Sequence, residues 1–383
     1  MLVLKRVLQE RGLSQSGFAR ELDVSPATVA QLVNHGIWPK RPTPTEMKAR
    51  ITEILSGSGS VPADLFEEDD RALGSDQDAV QTPDQSKDLE NDMLLRKQSL
   101  SPDARRAFTL ARDPFAEVRS SEEVFLTSDF RYVRESLRQT AKHGGFIAVV
   151  GESGAGKSTL RRDLAEWIHR ENEPVILIEP YVLGMEDNDV KGKTLKAGHI
   201  AEAILAAVAP RDTLKQSPEA RFRQVHNALR ESHRAGHRHV LVIEEAHGLP
   251  LPTLKHLKRF FELEDGFSKL LGIVLIGQPE LGQKLDERNP SVREVVQRCE
   301  VVTLRPLDDE LEGYLRHRFQ MVNKTLDQVM DATAIDALRI KLAGRAQYSV
   351  LYPLAVHNVV TAALNEAATL GIPHITADVV EGV

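Results

Sequence analysis

Four apolar runs without inner alternation punctuate the middle of the chain: "FIAVV" at 146–150, "PVILI" at 174–178, "HVLVI" at 239–243 and "LLGIVLIG" at 270–277. Between them lie stretches with helical periodicity, among them "KSTLRRDLAEWIHR" at 157–170 and "HIAEAILAAVA" at 199–209. Strands apolar on both faces and separated by helices predict an α/β protein with a parallel sheet covered on both sides. The spacing places this core over residues 101–305. After Pro306 strand signals fade and helical ones continue through Leu370, which predicts a smaller helical lid domain over 306–383.

The first 55 residues are patterned differently. Ser14 is placed to cap a helix containing Phe18, Ala19 and Leu22, "DVS" makes a short turn, and Ser25 or Pro26 opens a second helix containing Val29, Leu32 and Val33 that stops at Gly36. This is an all-α helix-turn-helix pattern, similar to that of phage repressors. Its second helix would turn Ser25, Ala27, Thr28 and Gln31 to a DNA groove, with Gln15, Lys40 and Arg41 near phosphates. The same hairpin also serves as a protein-interaction module in other settings. Between this module and the core, residues 56–100 are rich in Gly, Ser, Pro, Gln and Asp, a composition expected of an acidic flexible linker.

Charge changes the picture once it is divided along the chain. The net charge is −7, from 49 Lys and Arg against 56 Asp and Glu. Residues 1–55 hold eight basic and five acidic side chains (+3), and residues 60–100 hold four and eleven (−7), leaving −3 for the remainder. The linker alone equals the whole deficit, so folded parts can still present basic faces. Cys299 is the only cysteine, which excludes an intramolecular disulfide and a thiolate metal cluster. Neither a signal-peptide pattern nor an apolar run of membrane-spanning length is present, and a cytoplasmic protein without a membrane partner is expected.

The most specific chemistry follows the first strand. Gly151-Glu152-Ser153-Gly154-Ala155-Gly156-Lys157-Ser158 has the full G-x-x-x-x-G-K-[ST] spacing, between a strand and an amphipathic helix. Glycines let the loop turn its N–H groups around phosphate oxygens, and the helix N-terminus adds its positive end. Residues 151–158 with Thr159 are therefore expected to bind ATP. Lys157 would reach the β- and γ-phosphates, and Ser158 would ligate Mg²⁺. The strand "HVLVI" ends on Glu244 and Glu245, where such an enzyme needs carboxylates. Glu244, in a post usually held by aspartate, is assigned to Mg²⁺, and Glu245 to orienting the attacking water as general base. Gln278, the polar tip of "LLGIVLIG", is placed to sense the γ-phosphate. Arg293 and Arg298 stand before the last expected strand, where either could reach a neighbouring subunit's nucleotide as an arginine finger.

A phosphate-loop strand, an acidic tip, a polar tip, arginines and a helical lid follow the AAA+ order. With "EVFLTSDFRYVRESL", "LKHLKRFFELEDGFSKLLGIVLIGQPELGQKL" and "QRCEVVTLRPL", residues 115–370 resemble transposition ATPases of the phage Mu B type and relatives in Tn7-like elements. These share a broader clan with secretion ATPases of the ExeA type. The resemblance implies an ATP- and Mg²⁺-dependent protein that oligomerises as a ring or helical filament on duplex DNA, without sequence preference, and delivers target DNA to a transposase. The lid departs from the pattern: no sensor arginine stands at "YPLAVHN", and Arg345 is the nearest alternative.

Two basic sets are suited to phosphate contact on residue grounds alone. Lys191, Lys193 and Lys196 lie in a loop-like stretch, and Lys255, Lys258 and Arg259 share one side of a helix. His233, His237 and His239 lie close together without a cysteine nearby and are read as a basic surface turn rather than a metal site. Two other functions stay open: a nucleotide-switched transcription regulator and a secretion or assembly motor.

Overall fold

The computed structural model describes residues 43–56, 97–180, 195–343 and 349–383, together with Leu4, Val7, Leu8, Phe18, Ala19, Leu22, Val24, Thr28, Val29, Leu32, Leu65 and Phe66. The chain forms two compact units, residues 1–83 and 84–383.

In the first unit, the apolar positions expected to line the helical hairpin, Phe18, Ala19, Leu22, Val29 and Leu32, are buried in one cluster with Leu4, Leu8 and Leu65. Helix α1 (Pro44–Ser56) adds Met47, Ile51 and Leu55, spaced by four so that one face is buried. A reciprocal cap starts this helix: Thr43 N donates to Glu46 Oε2 at 2.9 Å and Glu46 N donates to the Thr43 hydroxyl at 3.4 Å. Thr28 is half-buried in a helical segment. The expected groove and phosphate residues Gln15, Ser25, Gln31, Lys40 and Arg41 lie outside the described residues.

The second unit runs α2 (Pro102–Ala107), α3 (Ser128–His143), β1 (Phe146–Val150), α4 (Lys157–Arg170), β2 (Val175–Ile178), α5 (Ala197–Val208), α6 (Pro218–Arg234) and β3 (Arg238–Ile243). It continues with α7 (Leu251–Phe261), a hairpin of β4 (Glu264–Asp265) and β5 (Ser268–Lys269), β6 (Gly272–Gly277), α8 (Pro279–Lys284), α9 (Arg293–Val296) and β7 (Glu300–Thr303). The helical remainder is α10 (Leu311–Gln320), α11 (Ala332–Ala343), α12 (Pro353–Leu370) and α13 (Ala377–Glu381).

The main sheet is parallel throughout, in the order β2-β3-β6-β1-β7. The apolar runs are buried on both faces because alternate side chains enter different cores. Ala148, Leu241, Ile243, Ile273 and Leu275 pack with α5, α6 and α7, whereas Ile147, Val149, Val240, Val242 and Val274 pack with α3 and α4. Strand β6 lies between β1 and β3, so the three C-terminal tips share one edge of the sheet. There the chain leaves β1 as the glycine-rich loop, β3 as the glutamate pair and β6 as Gln278.

A third core joins α10 to α13. It also takes in Ala104, Phe108 and Leu110, so α2 and the segment after it pack with the lid helices. Two asparagines spaced by seven on α12 hold the preceding chain: Gln98 N donates to Asn358 Oδ1 at 3.2 Å, and Ser101 N donates to Asn365 Oδ1 at 2.9 Å. Residues 98–101, which include the end of the expected linker, are thus anchored on the lid.

Candidate functional site

The glycine-rich loop has the conformation its composition requires. Gly154 and Gly156 have φ of +77° and +95°, the left-handed region that side chains avoid. Gly156 is the N-cap of α4, whose first residues Lys157 and Ser158 therefore carry the positive end of the helix toward the loop. Lys157 Nζ folds back and donates to the carbonyls of Gly151 and Glu152, both at 2.7 Å. Burial pulls its ammonium below the usual lysine range, against the opposing influence of Glu245, Glu152 and Glu280. An anion in the loop would add a direct counter-charge to this half-buried cation.

The acidic tip is less uniform than its sequence. Glu244 is half-buried, and its Oε2 lies 2.9 Å from Arg161 Nε of α4, whose NH1 reaches Glu179 at the end of β2 at 2.8 Å. Glu245 is different: its side chain is 58% exposed, and its backbone adopts φ +49°. A left-handed conformation costs a non-glycine residue about 1–2 kcal/mol, and the residue that bears this cost lines the cavity that Lys157 also lines.

That cavity, of about 550 Å³, separates the sheet edge from the lid. One end is formed by residues 153–159 with Glu245 and Gln278, and the other is lined by Phe115, Val118, Phe125, Tyr314 and His357. Phe115 lies tilted against His357 with ring centroids 4.7 Å apart, and Tyr314 O–H meets His357 Nε2 at 2.5 Å. Burial pushes His357 down to about 3 and Tyr314 up to about 12, so both stay neutral near pH 7. Arg318, buried in the same wall, donates to the carbonyls of Pro114 at 2.8 Å and Ala116 at 2.6 Å and so fixes the 114–118 segment. At the mouth, Arg305 makes a paired contact with Asp129 at 2.8 and 2.6 Å. A polar, loop-lined end and an aromatic end are the two chemistries a nucleoside triphosphate presents.

The lid closes directly on the loop. Leu354, in the first turn of α12, donates its N–H to Gly154 O at 3.4 Å, and a Cβ at Gly154 would collide with the Leu354 side chain. Arg345 lies outside the described residues.

The remaining expected residues are placed elsewhere. Arg293 is exposed at the start of α9. Arg298 is partly exposed and lies 3.2 Å from Glu262, donating also to Glu294 O at 3.1 Å. Neither lines the cavity of its own chain. Lys255 and Arg259 are exposed on α7, but Lys258 is committed to Glu294 at 2.5 Å, with Glu262 at 3.6 Å. Lys196 is exposed at the start of α5, whereas Lys191 and Lys193 fall outside the described residues.

The histidine cluster is not a basic surface turn throughout. His239 is 2% exposed, with Nδ1 2.9 Å from Leu270 O and Nε2 2.8 Å from the Ser232 hydroxyl. Burial lowers it to about 4, so it is a neutral core residue. Its position at the start of β3, which enters the sheet, outweighs the polarity of its neighbours.

Several cavity residues gave no signal in the sequence. Phe115, Arg318, Tyr314 and His357 come together only through tertiary packing. His247 was within reach, as the last residue of "EEAH": its Nδ1 lies 3.5 Å from Glu245 Oε2 and 3.4 Å from Gln278 N.

The parallel sheet, phosphate loop, acidic tip and helical lid define a P-loop AAA+ fold. Residues 138–285 match the AAA domain family, which spans the loop and both strand tips. The general secretion pathway protein A of Aeromonas hydrophila is 31% identical over 184 residues, 46% of this chain and 30% of that relative, so the chain spans under a third of its length. Among solved structures, the ORC2 protein of Aeropyrum pernix in its ADPNP-ADP complexes is similar, with a TM-score of 0.45 and 15% identity over 71% of each chain. The RuvB Holliday junction branch migration motor of Thermotoga maritima gives a TM-score of 0.40 and 13% identity over 70% of this chain and 72% of its own. At these scores the likeness is one of backbone, without bearing on activity.

Proposed function

We propose that this chain binds and hydrolyses ATP in the cavity between the sheet edge and the lid, and uses the cycle to hold and release duplex DNA. The observation that carries the ATP reading is the convergence of a preorganised phosphate loop, Lys157, Glu245 and Gln278 on one cavity with an aromatic far wall. The donor set also suits a hard cation. Ser158 and Glu244 supply oxygens of the kind Mg²⁺ prefers, with Glu244 shared with Arg161. Bound Mg²⁺ would draw charge from the phosphate oxygens as the terminal bond breaks. Glu245 would orient and deprotonate the attacking water, Lys157 would neutralise the phosphates, and Gln278 would contact the terminal phosphoryl group. Arg298 or Arg293 would reach the nucleotide of an adjacent subunit in a homo-oligomer.

DNA is the favoured partner because the N-terminal unit buries the apolar set of a helix-turn-helix, and because Lys255 and Arg259 stand exposed one turn apart on α7. Within that reading, capture of target DNA for a transposase is the specific role the sequence resemblance supports. A protein-secretion or assembly motor is the second reading, and the identity with a general secretion pathway protein favours it. Binding to random-sequence duplex DNA, measured without nucleotide, with ADP and with a slowly hydrolysed ATP analogue, separates the two. Rings or filaments on DNA only with the ATP analogue support the first, and absence of DNA binding in every nucleotide state overturns it. A strong preference for one operator-like site would instead indicate a transcription regulator.

A further inference from the structure

One ring nitrogen at the acidic tip faces two partners with opposite demands. His247 Nδ1 lies 3.4 Å from the backbone nitrogen of Gln278, which can only donate, and 3.5 Å from Glu245 Oε2, which when ionised can only accept. To serve Gln278 the nitrogen must present its lone pair, with the ring proton on Nε2. To serve Glu245 it must itself carry a proton. Both separations are long for a committed hydrogen bond, so the ring stands between its partners.

The surroundings hold it there. His247 belongs to the turn Ala246–Gly248, which follows Glu245. That turn is pressed on the tip of β6 so closely that a Cβ on Gly277 would lie 3.0 Å from His247 N. From α8, Lys284 Nζ donates to His247 O and, at 3.2 Å, to Leu249 O, fixing the turn from its other side. Glu245 meets the ring from its own turn, and Lys157 acts on Glu245 across the cavity.

We propose that His247 is a positioning residue for ATP hydrolysis, coupling the Gln278 strand tip to the general base Glu245 through the choice of partner at Nδ1. This rests on the reading of Glu245 as the base. With Nδ1 accepting from Gln278 N–H, the strand tip is held in place and Glu245 remains free to take a proton from water. With the ring proton on Nδ1 instead, Nδ1–H turns to Glu245, occupies the carboxylate and releases Gln278. The tautomer with its proton on Nε2 is therefore the one that keeps both the phosphate-facing residue and the base in their working arrangement.

The test is steady-state ATP hydrolysis by the full chain. It compares the parental protein with His247→Ala, His247→Asn and Glu245→Gln. Asparagine offers an amide oxygen to Gln278 N–H in place of the Nδ1 lone pair. The expected result is that His247→Ala lowers kcat about tenfold with KM changed less than about twofold. His247→Asn should recover most of kcat. A His247→Ala protein with parental kcat, or a His247→Asn protein no more active than His247→Ala, beside an inactive Glu245→Gln, would overturn this inference alone. Parental turnover by Glu245→Gln would overturn the base assignment and this inference with it.

Discussion

The edge of the sheet and the outer face of α7 both carry conspicuous charge, yet the structure uses it differently. At the sheet edge the backbone decides: glycines at positive φ, a helix N-terminus and three parallel strand tips bring Lys157, Glu245 and Gln278 to one cavity. On α7 the helix fixes only spacing, and the side chains find partners within their own surface, as Lys258 does with Glu294 and Glu262. A motif written into backbone conformation specifies a ligand more sharply than a row of like charges does.

The largest effect expected from this contrast is at Lys157. Replacing it with alanine removes a charged donor from the loop, worth about 1.5–3 kcal/mol per hydrogen bond to an ionised partner, and should weaken ATP binding by about tenfold to a hundredfold. Calorimetric titration with an ATP analogue measures it, and parental affinity would break the claim that the loop is the nucleotide site. Gly154→Ala comes next. The left-handed backbone and the collision with Leu354 should cost about 1–3 kcal/mol, seen as a lower Tm together with weaker nucleotide binding as the lid is pushed off the loop.

A pH effect of intermediate size follows from the neutral histidines. His239, lowered to about 4, and His357, lowered to about 3, favour the folded chain while neutral. Their contribution is complete above the ordinary histidine range near pH 6.5 and is lost as pH falls toward 4 and below, because the unfolded chain takes up the protons first. Thermal unfolding should show Tm falling across that window, and His239→Gln, which keeps polarity without titrating, should flatten part of the slope.

The smallest effects belong to the α7 face. Releasing Lys258 with Glu294→Gln should raise duplex DNA affinity by about threefold or less, as expected for an exposed pair. Reversing Lys255 and Arg259 to glutamate should lower it more, with ATP affinity unchanged. If neither moves DNA binding, this surface is not the contact.

How much was legible follows the same division. Strands β1, β2, β3 and β6, helix α4 and the strand tips could be read from apolar runs and from glycine spacing, because those patterns act locally. The aromatic wall could not, since Phe115 and His357 are 242 positions apart and meet only when the chain before the sheet packs on the lid. His239 was misread because a polar neighbourhood in sequence says little about a residue that enters a sheet. The lid boundary was blurred for a similar reason, as α2 and Phe108 supply apolar surface to helices more than 200 residues later. Among the described residues no helix is long and apolar enough to cross a membrane.

The central claim is that the cavity under the lid hydrolyses ATP with Glu245 as the base. Its most direct test measures ATP binding and turnover side by side for the parental chain and Glu245→Gln. The account predicts near-parental nucleotide affinity and turnover reduced by about a hundredfold or more. Equal turnover in the two proteins would contradict it.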